Sequence, residues 1–169
     1  ADLNDTVLRL TNRRYGASFG DYDDDGLPDI GTEPRLVTAG DTCFHLAHNL
    51  GGARFADVAI DPAILDVQPC QSYSETICWG DVDHDGRLDM FFPVYPPSFG
   101  SPGNFFLYNL GDSGPDGATR FTESSAAVGL DNPPGAARPE GAQFVDIDFD
   151  GDIDLYSNGT LYRNLSTPG

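Results

Sequence analysis

Three runs of aspartate carry the chemistry of this chain. Asp21-Tyr-Asp-Asp-Asp-Gly-Leu-Pro-Asp29, Asp81-Val-Asp-His-Asp-Gly-Arg-Leu-Asp89 and Asp146-Ile-Asp-Phe-Asp-Gly-Asp-Ile-Asp154 share the pattern D-x-D-x-D-G-x-x-D. They begin at residues 21, 81 and 146, intervals of 60 and 65 residues. Carboxylates at alternate positions converge on one point if the backbone curls, and a glycine at position 6 permits the curl. Calcium is a hard cation that takes about 6–8 oxygen ligands. The expected ligand sets are Asp21, Asp23, Asp25 and Asp29; Asp81, Asp83, Asp85 and Asp89; and Asp146, Asp148, Asp150 and Asp154. Position 7 adds a backbone carbonyl, from Leu27, Arg87 and Asp152. The side chains of Asp24 and Asp152 fall off the ligand positions and are expected to face solvent. Three calcium ions are therefore expected, one per loop. Magnesium prefers fewer protein ligands and keeps its water, and no soft ligand marks the loops for zinc. An EF-hand would need Glu at position 12, where Thr32, Phe92 and Ser157 stand. Asp-Gly clusters also form plain turns, but three loops sharing every Asp and Gly position argue against that reading.

The elements that position these loops repeat with them. An aromatic residue sits two places before each first aspartate, at Phe19, Trp79 and Phe144, and an apolar residue follows each last one, at Ile30, Met90 and Leu155. Downstream comes a second block: Phe44-His-Leu-Ala-His-Asn49-Leu-Gly, Phe105-Phe-Leu-Tyr-Asn109-Leu-Gly and Leu161-Tyr-Arg-Asn164-Leu. A third block follows in two units, Arg54-Phe55-Ala-Asp and Arg120-Phe121-Thr-Glu, and the last unit stops before it. Apolar residues alternate ahead of each loop, which is the period of a strand. The only helical turn suggested lies within Ala59–Val67. The fold class expected is all-β: tandem four-stranded antiparallel units, each with a calcium loop, forming a partial β-propeller or an open repeat stack. One domain spans 1–169, with units at about 13–72, 73–137 and a truncated 138–169. Residues 1–12, with Val7-Leu-Arg-Leu-Thr-Asn12, read as the end of a preceding unit.

The pattern resembles the FG-GAP/VCBS repeats of integrin α-subunit propellers and bacterial surface proteins. Phe19-Gly20-Asp21, Trp79-Gly80-Asp81, the three Asp loops and the Leu-Tyr-x-Asn-Leu-Gly stretch carry the likeness, over most of residues 12–165. It implies propeller blades with calcium in a hairpin loop, where the ion is mainly structural and adhesion or binding is the usual role. Closed propellers have typically about 4–8 blades, more than this chain contains.

Composition narrows the function classes. The 169 residues carry a net charge of −18, which repels nucleic acid and anionic membrane. With 11 Phe and 7 Tyr the chain is too aromatic for acidic disorder. No apolar run is long enough to span a bilayer, so no membrane insertion is expected. Of Cys43, Cys70 and Cys78, the favoured disulfide is Cys43–Cys70, whose 27-residue separation is worth roughly 3.5 kcal/mol. Cys70–Cys78 is the alternative, and a buried free thiol at Cys78 is equally natural. Sequons at Asn4, Asn158 and Asn164 are compatible with an extracellular or cell-surface setting. On a strand His45 and His48 face opposite sides, which argues against a shared metal, and His84 at loop position 4 is expected to face solvent. Phe19, Trp79 and Phe144 read as a core-packing set, and Tyr73 and Tyr95–Phe99 as partner-facing. Glu33, Glu75, Glu123 and Glu140 share no motif, and no nucleophile elbow or phosphate loop occurs, so an enzyme is not expected. Two functions remain. One is an extracellular module binding a protein or glycan. The other is a structural protomer that self-assembles through open sheet edges into a surface layer or filament.

Overall fold

A computed structural model describes residues 16–32, 45–58, 74, 76–94, 104–112, 119–131 and 141–165. Within these the chain is all-β, with no helix and no closed barrel. The first sheet holds β1 (Ala17–Gly20), β2 (Asp29–Thr32), β3 (His45–Asn49) and β4 (Phe55–Asp57) in sequence order. The second repeats the plan with β5 (Cys78–Gly80), β6 (Asp89–Phe92), β7 (Phe105–Asp112) and β8 (Thr119–Glu123). The third has three strands, β9 (Ala142–Val145), β10 (Asp154–Ser157) and β11 (Thr160–Tyr162). All neighbours are antiparallel, and each Asp loop joins the first two strands of its sheet. The register repeats as well: Gly20 pairs with Asp29, Gly80 with Asp89 and Val145 with Asp154.

The sheets stack through their first strands, β1 against β5 and β5 against β9. Between the first two sheets lies a core of Leu46, Met90, Leu107 and Phe121, closed by Tyr22. Between the second and third lie Phe91, Phe106 and Leu155, with Phe144 and Tyr162 packed against them. Alternation along each strand divides the side chains: Met90 and Leu107 face the sheet before, Phe91 and Phe106 the sheet after. This is why β6 reads as the unbroken apolar run Met90-Phe-Phe92, buried on both faces.

Glycine sets the spacing. A Cβ on Gly20 would stand 2.8 Å from the Trp79 ring, and one on Gly80 2.9 Å from the Phe144 ring. Trp79 and Phe144 of the expected core set therefore each lie on the glycine of the unit before. Trp79 and Phe144 are half-buried in this way. Phe19 departs from the expectation. It is 68 % exposed, because no described sheet precedes its own. The last of the series is also different, since Val145 stands where the other units have glycine.

The helical turn expected within Ala59–Val67, together with Tyr73, Tyr95–Phe99, Cys43, Cys70 and Asn4, lies outside the described residues.

Candidate metal centre

Local chemistry shapes the three loops alike. Position 4 adopts a left-handed backbone in each, at Asp24 (φ 58°), His84 (62°) and Phe149 (60°), and the glycine at position 6 does so too, with φ of 85°, 88° and 98°. The first curl needs a strained non-glycine residue, and the sequence had signalled only the second. Hydrogen bonds hold the curl. The first aspartate accepts from the position 6 amide: Gly26 N to Asp21 Oδ2, 2.9 Å; Gly86 N to Asp81 Oδ2, 3.0 Å; Gly151 N to Asp146 Oδ2, 3.1 Å. The position 5 aspartate accepts from the position 7 amide, at 2.8, 2.9 and 3.0 Å.

The last aspartate braces the loop from inside. Asp29, Asp89 and Asp154 are buried. Their Oδ2 atoms accept from the position 2 amides of Tyr22, Val82 and Ile147, and their Oδ1 atoms from the amides of Asn49, Asn109 and Asn164. Each of these asparagines thus ties the third strand, or the residues just after it, to its loop. Two of them also reach back one unit. Asn109 Nδ2 donates to the Tyr22 carbonyl at 2.8 Å, and Asn164 Nδ2 to the Val82 carbonyl at 2.9 Å. The Asn164 sequon therefore sits on a side chain already engaged between units. Asn158 of the second described sequon occupies the left-handed corner (φ 52°) of the β10–β11 hairpin.

Carboxylate oxygens converge in every loop. Asp21, Asp23 and Asp25 form one group with ligand atoms within 4.8 Å of one another; Asp81, Asp83 and Asp85 form another; Asp146, Asp148 and Asp154 form a third. The members differ from the expected sets in detail, since Asp150 and Asp89 fall outside the groups and Asp29 joins a separate one. These loops can hold a metal ion. The donors are all oxygen, and Asp23 Oδ1 and Asp146 Oδ1 are buried without a hydrogen-bond partner, an arrangement that is costly unless a cation or water approaches. Burial raises the carboxyls of Asp23, Asp29 and Asp83 above the usual range and pushes Asp89 up to about 7. Neighbouring carboxylates add to the effect, while His48 opposes it at Asp23 and Asp29 and Arg87 opposes it at Asp83.

One expectation needs correction. Asp152 does not face solvent: its side chain is buried, and its Oδ1 lies 2.8 Å from His84 Nε2. His84 is exposed as expected, and through this contact it links the second loop to the third. His48, weighed in the sequence only beside His45, has its Nδ1 3.1 Å from Asp23 Oδ2 and 3.4 Å from Asp29 Oδ1, so the three form a mixed nitrogen and oxygen group. The position before each asparagine is the one that sees the loop. In the second unit it holds Tyr108, whose hydroxyl is raised by burial and by the charges of Asp89 and Asp83. In the third it holds Arg163, paired with Asp148 and 3.5 Å from Asp150. Arg87 pairs with Asp85 and donates to the Asn109 carbonyl at 3.0 Å. The missed signal was this column of His48, Tyr108 and Arg163, visible once the Asn blocks are aligned.

Cys78 is a free thiol buried in β5, pushed up to about 12 by desolvation. The alternative pairing of Cys70 with Cys78 is not formed. Among the described residues no helix is long and apolar enough to cross a membrane. No protein-family model matches the chain, and no curated protein matches it.

Proposed function

We propose that the chain is an extracellular calcium-binding β-repeat module of the FG-GAP/VCBS kind, a set of propeller-like blades whose ions are structural and whose surface binds a protein or a glycan. One observation carries this reading: three loops, 60 and 65 residues apart in sequence, share one hydrogen-bonding plan and each gathers three carboxylates within 4.8 Å of one another. Asp21, Asp23 and Asp25, Asp81, Asp83 and Asp85, and Asp146, Asp148 and Asp154 would hold the ions, with Asp29, Asp89 and Asp150 and the carbonyls of Leu27, Arg87 and Asp152 close at hand. Calcium there supplies charge neutralisation and cross-linking of the hairpin. The chain's own residues do the rest: the buried aspartates fix the loop to the third strand, and the asparagines lock unit to unit. No constellation of nucleophile and base is needed for this role.

A second reading, a structural protomer of a surface layer or filament, is favoured by apolar side chains exposed on the first and third described sheets. Phe19 is exposed on the first sheet, and Tyr156 and Leu161 on the third. Calorimetric titration of the chelator-treated protein tests the metal assignment, with three ions per chain expected and one lost on Asp81→Asn with Asp83→Asn. A protein that binds no calcium and melts at the same temperature with or without chelator refutes it. Light scattering of the same samples separates a monomeric binding module from a self-assembling protomer.

A further inference from the structure

One position sets the first loop apart from the other two. The residue before the asparagine is His48 in the first unit, Tyr108 in the second and Arg163 in the third. His48 Nδ1 lies 3.1 Å from Asp23 Oδ2 and 3.4 Å from Asp29 Oδ1. The nitrogen is buried, yet neither oxygen accepts a hydrogen bond from it. The other oxygen of Asp23 is also buried without a partner. A buried polar atom left unsatisfied is costly, and two in one spot mark a place for a cation. Asp29 is wholly buried and held firmly. Its Oδ1 accepts from the Asn49 amide at 2.7 Å and its Oδ2 from the Tyr22 amide at 3.2 Å. A carboxylate oxygen has a second lone pair, so the amide leaves one free on Oδ1. The Tyr22 ring flanks the imidazole in a T-shaped contact, 6.0 Å between centroids.

We propose that His48 Nδ1, Asp23 Oδ2 and Asp29 Oδ1 form a site for a divalent transition metal, zinc above all, at the first loop alone. Zinc binds histidine nitrogen at about 2.0–2.1 Å and carboxylate oxygen at about 2.0–2.2 Å. Bond angles between octahedral and tetrahedral then separate nitrogen from oxygen by about 2.9–3.5 Å. Both observed separations fall inside that range. Calcium's longer bonds also span such edges, so it is the nitrogen that chooses the ion. Calcium takes oxygen ligands, whereas imidazole suits zinc. Three protein ligands leave a fourth position for water or a further loop oxygen. Asp23 also belongs to the oxygen group with Asp21 and Asp25, so zinc and calcium compete for this loop.

The other two loops do not copy the site. Tyr108 offers a phenol that burial and the charges of Asp89 and Asp83 keep in its neutral form, a poor metal ligand. Arg163 carries a permanent positive charge and pairs with Asp148. The other described histidine, His84, meets the single carboxylate of Asp152 and joins none of the groups that could hold an ion. The loops thus share one backbone and differ in the one side chain that reaches them from the third strand or just beyond it. This selectivity rests on the reading of the loops as cation sites, and not on calcium filling the other two.

Calorimetric titration of the chelator-treated 169-residue chain with zinc chloride, with and without excess calcium, provides the test. One tight zinc per chain is expected, weakened by calcium. His48→Gln should weaken it at least about tenfold, since even residues that only support a metal ligand are worth that much. His84→Gln and Asp83→Asn should leave it unchanged. Trp79 emission verifies that each variant is folded. Cobalt(II) in the wild-type chain gives a readout that needs no variant at His48: hyperfine-shifted imidazole proton signals that persist in His84→Gln. No zinc uptake, uptake that His48→Gln leaves unaltered, or a thiolate charge-transfer band with cobalt in place of the imidazole signals overturns the proposal. Zinc bound through His48 in a chain that takes up no calcium refutes the calcium reading and leaves this site standing; calcium taken up without zinc does the reverse.

Discussion

Asn109→Ala is expected to be among the most damaging single substitutions outside the apolar core. The side chain is 2 % exposed and satisfies three backbone groups. Its Nδ2 donates to the Tyr22 carbonyl at 2.8 Å and to the Leu88 carbonyl at 3.1 Å, and its Oδ1 accepts from the Gly111 amide at 2.9 Å. A hydrogen bond contributes about 1 kcal/mol net, and each buried partner left unsatisfied costs about 1–3 kcal/mol. Water reaches some of these groups after truncation, so the expected loss is about 3–5 kcal/mol, a large part of an ordinary domain's stability of about 5–15 kcal/mol. Asn49 is the internal control. Its Nδ2 donates to the Pro28 carbonyl in an exposed setting at 2.9 Å, and its Oδ1 accepts from the Gly51 amide at 3.0 Å, so it lacks only the inter-unit bond and its truncation should cost about 1–2 kcal/mol. Asn164, part-buried and bonded to Val82, belongs between them. Urea unfolding followed by Trp79 fluorescence, with the midpoint shifting and the slope unchanged, reads the difference. If Asn109→Ala costs no more than Asn49→Ala, the inter-unit clamp is not what holds the sheets together.

Gly20→Ala places a methyl group 2.8 Å from the Trp79 ring; a loss of about 1–3 kcal/mol and a shifted Trp79 emission are expected, and unchanged emission would refute the close packing. Asp89 is fully buried and its carboxyl is pushed up to about 7 from 3.8. The metal-free fold therefore keeps a proton that the unfolded chain loses, and this contribution is present below about pH 4 and disappears as the pH rises to about 7, by at most about 4 kcal/mol. Asp23, Asp29 and Asp83 shift in the same direction. Urea midpoints in chelator should fall across that window, and Asp89→Asn should flatten the fall; a rise would contradict the burial argument. Arg163 pairs with Asp148 of its own loop, so an incoming cation must displace it; Arg163→Gln should tighten calcium at the third loop several-fold and leave the other two unchanged, as read by calorimetry.

The strands and loops were legible because their signals are local. A two-residue alternation and a nine-residue motif depend on neighbours in sequence, and eleven strands among the described residues fall where the blocks stand. What the sequence hid lies between units. Asp152 looked like a solvent-facing loop residue because its partner, His84, is 68 residues away. His48 was judged by its neighbour on the strand, whereas its company comes from the loop across the hairpin. Phe19 looked like core because its equivalents are core, but burial depends on a sheet that must precede it. Arg163 pairs with Asp148 and approaches Asp150 from outside the motif, so its place at the third loop could not be read from the nine-residue pattern.

The stack is directional, and its two ends are chemically unlike. Trp79 and Phe144 show what a unit presents backwards, an aromatic ring and an asparagine amide. Gly20 and Gly80 show what a unit presents forwards, a glycine floor and a loop carbonyl. Phe19 and Asn49 therefore form a complete backward face with no described partner. The forward face of the third sheet is not complete in the same sense, because Val145 replaces the floor. Its Cβ stands where, at Gly80, any Cβ comes within 2.9 Å of the next aromatic ring. A further unit of the same geometry cannot seat its aromatic there without displacing the strand. Overpacking of this kind costs about 1–3 kcal/mol, enough to disfavour simple propagation through the sheet faces.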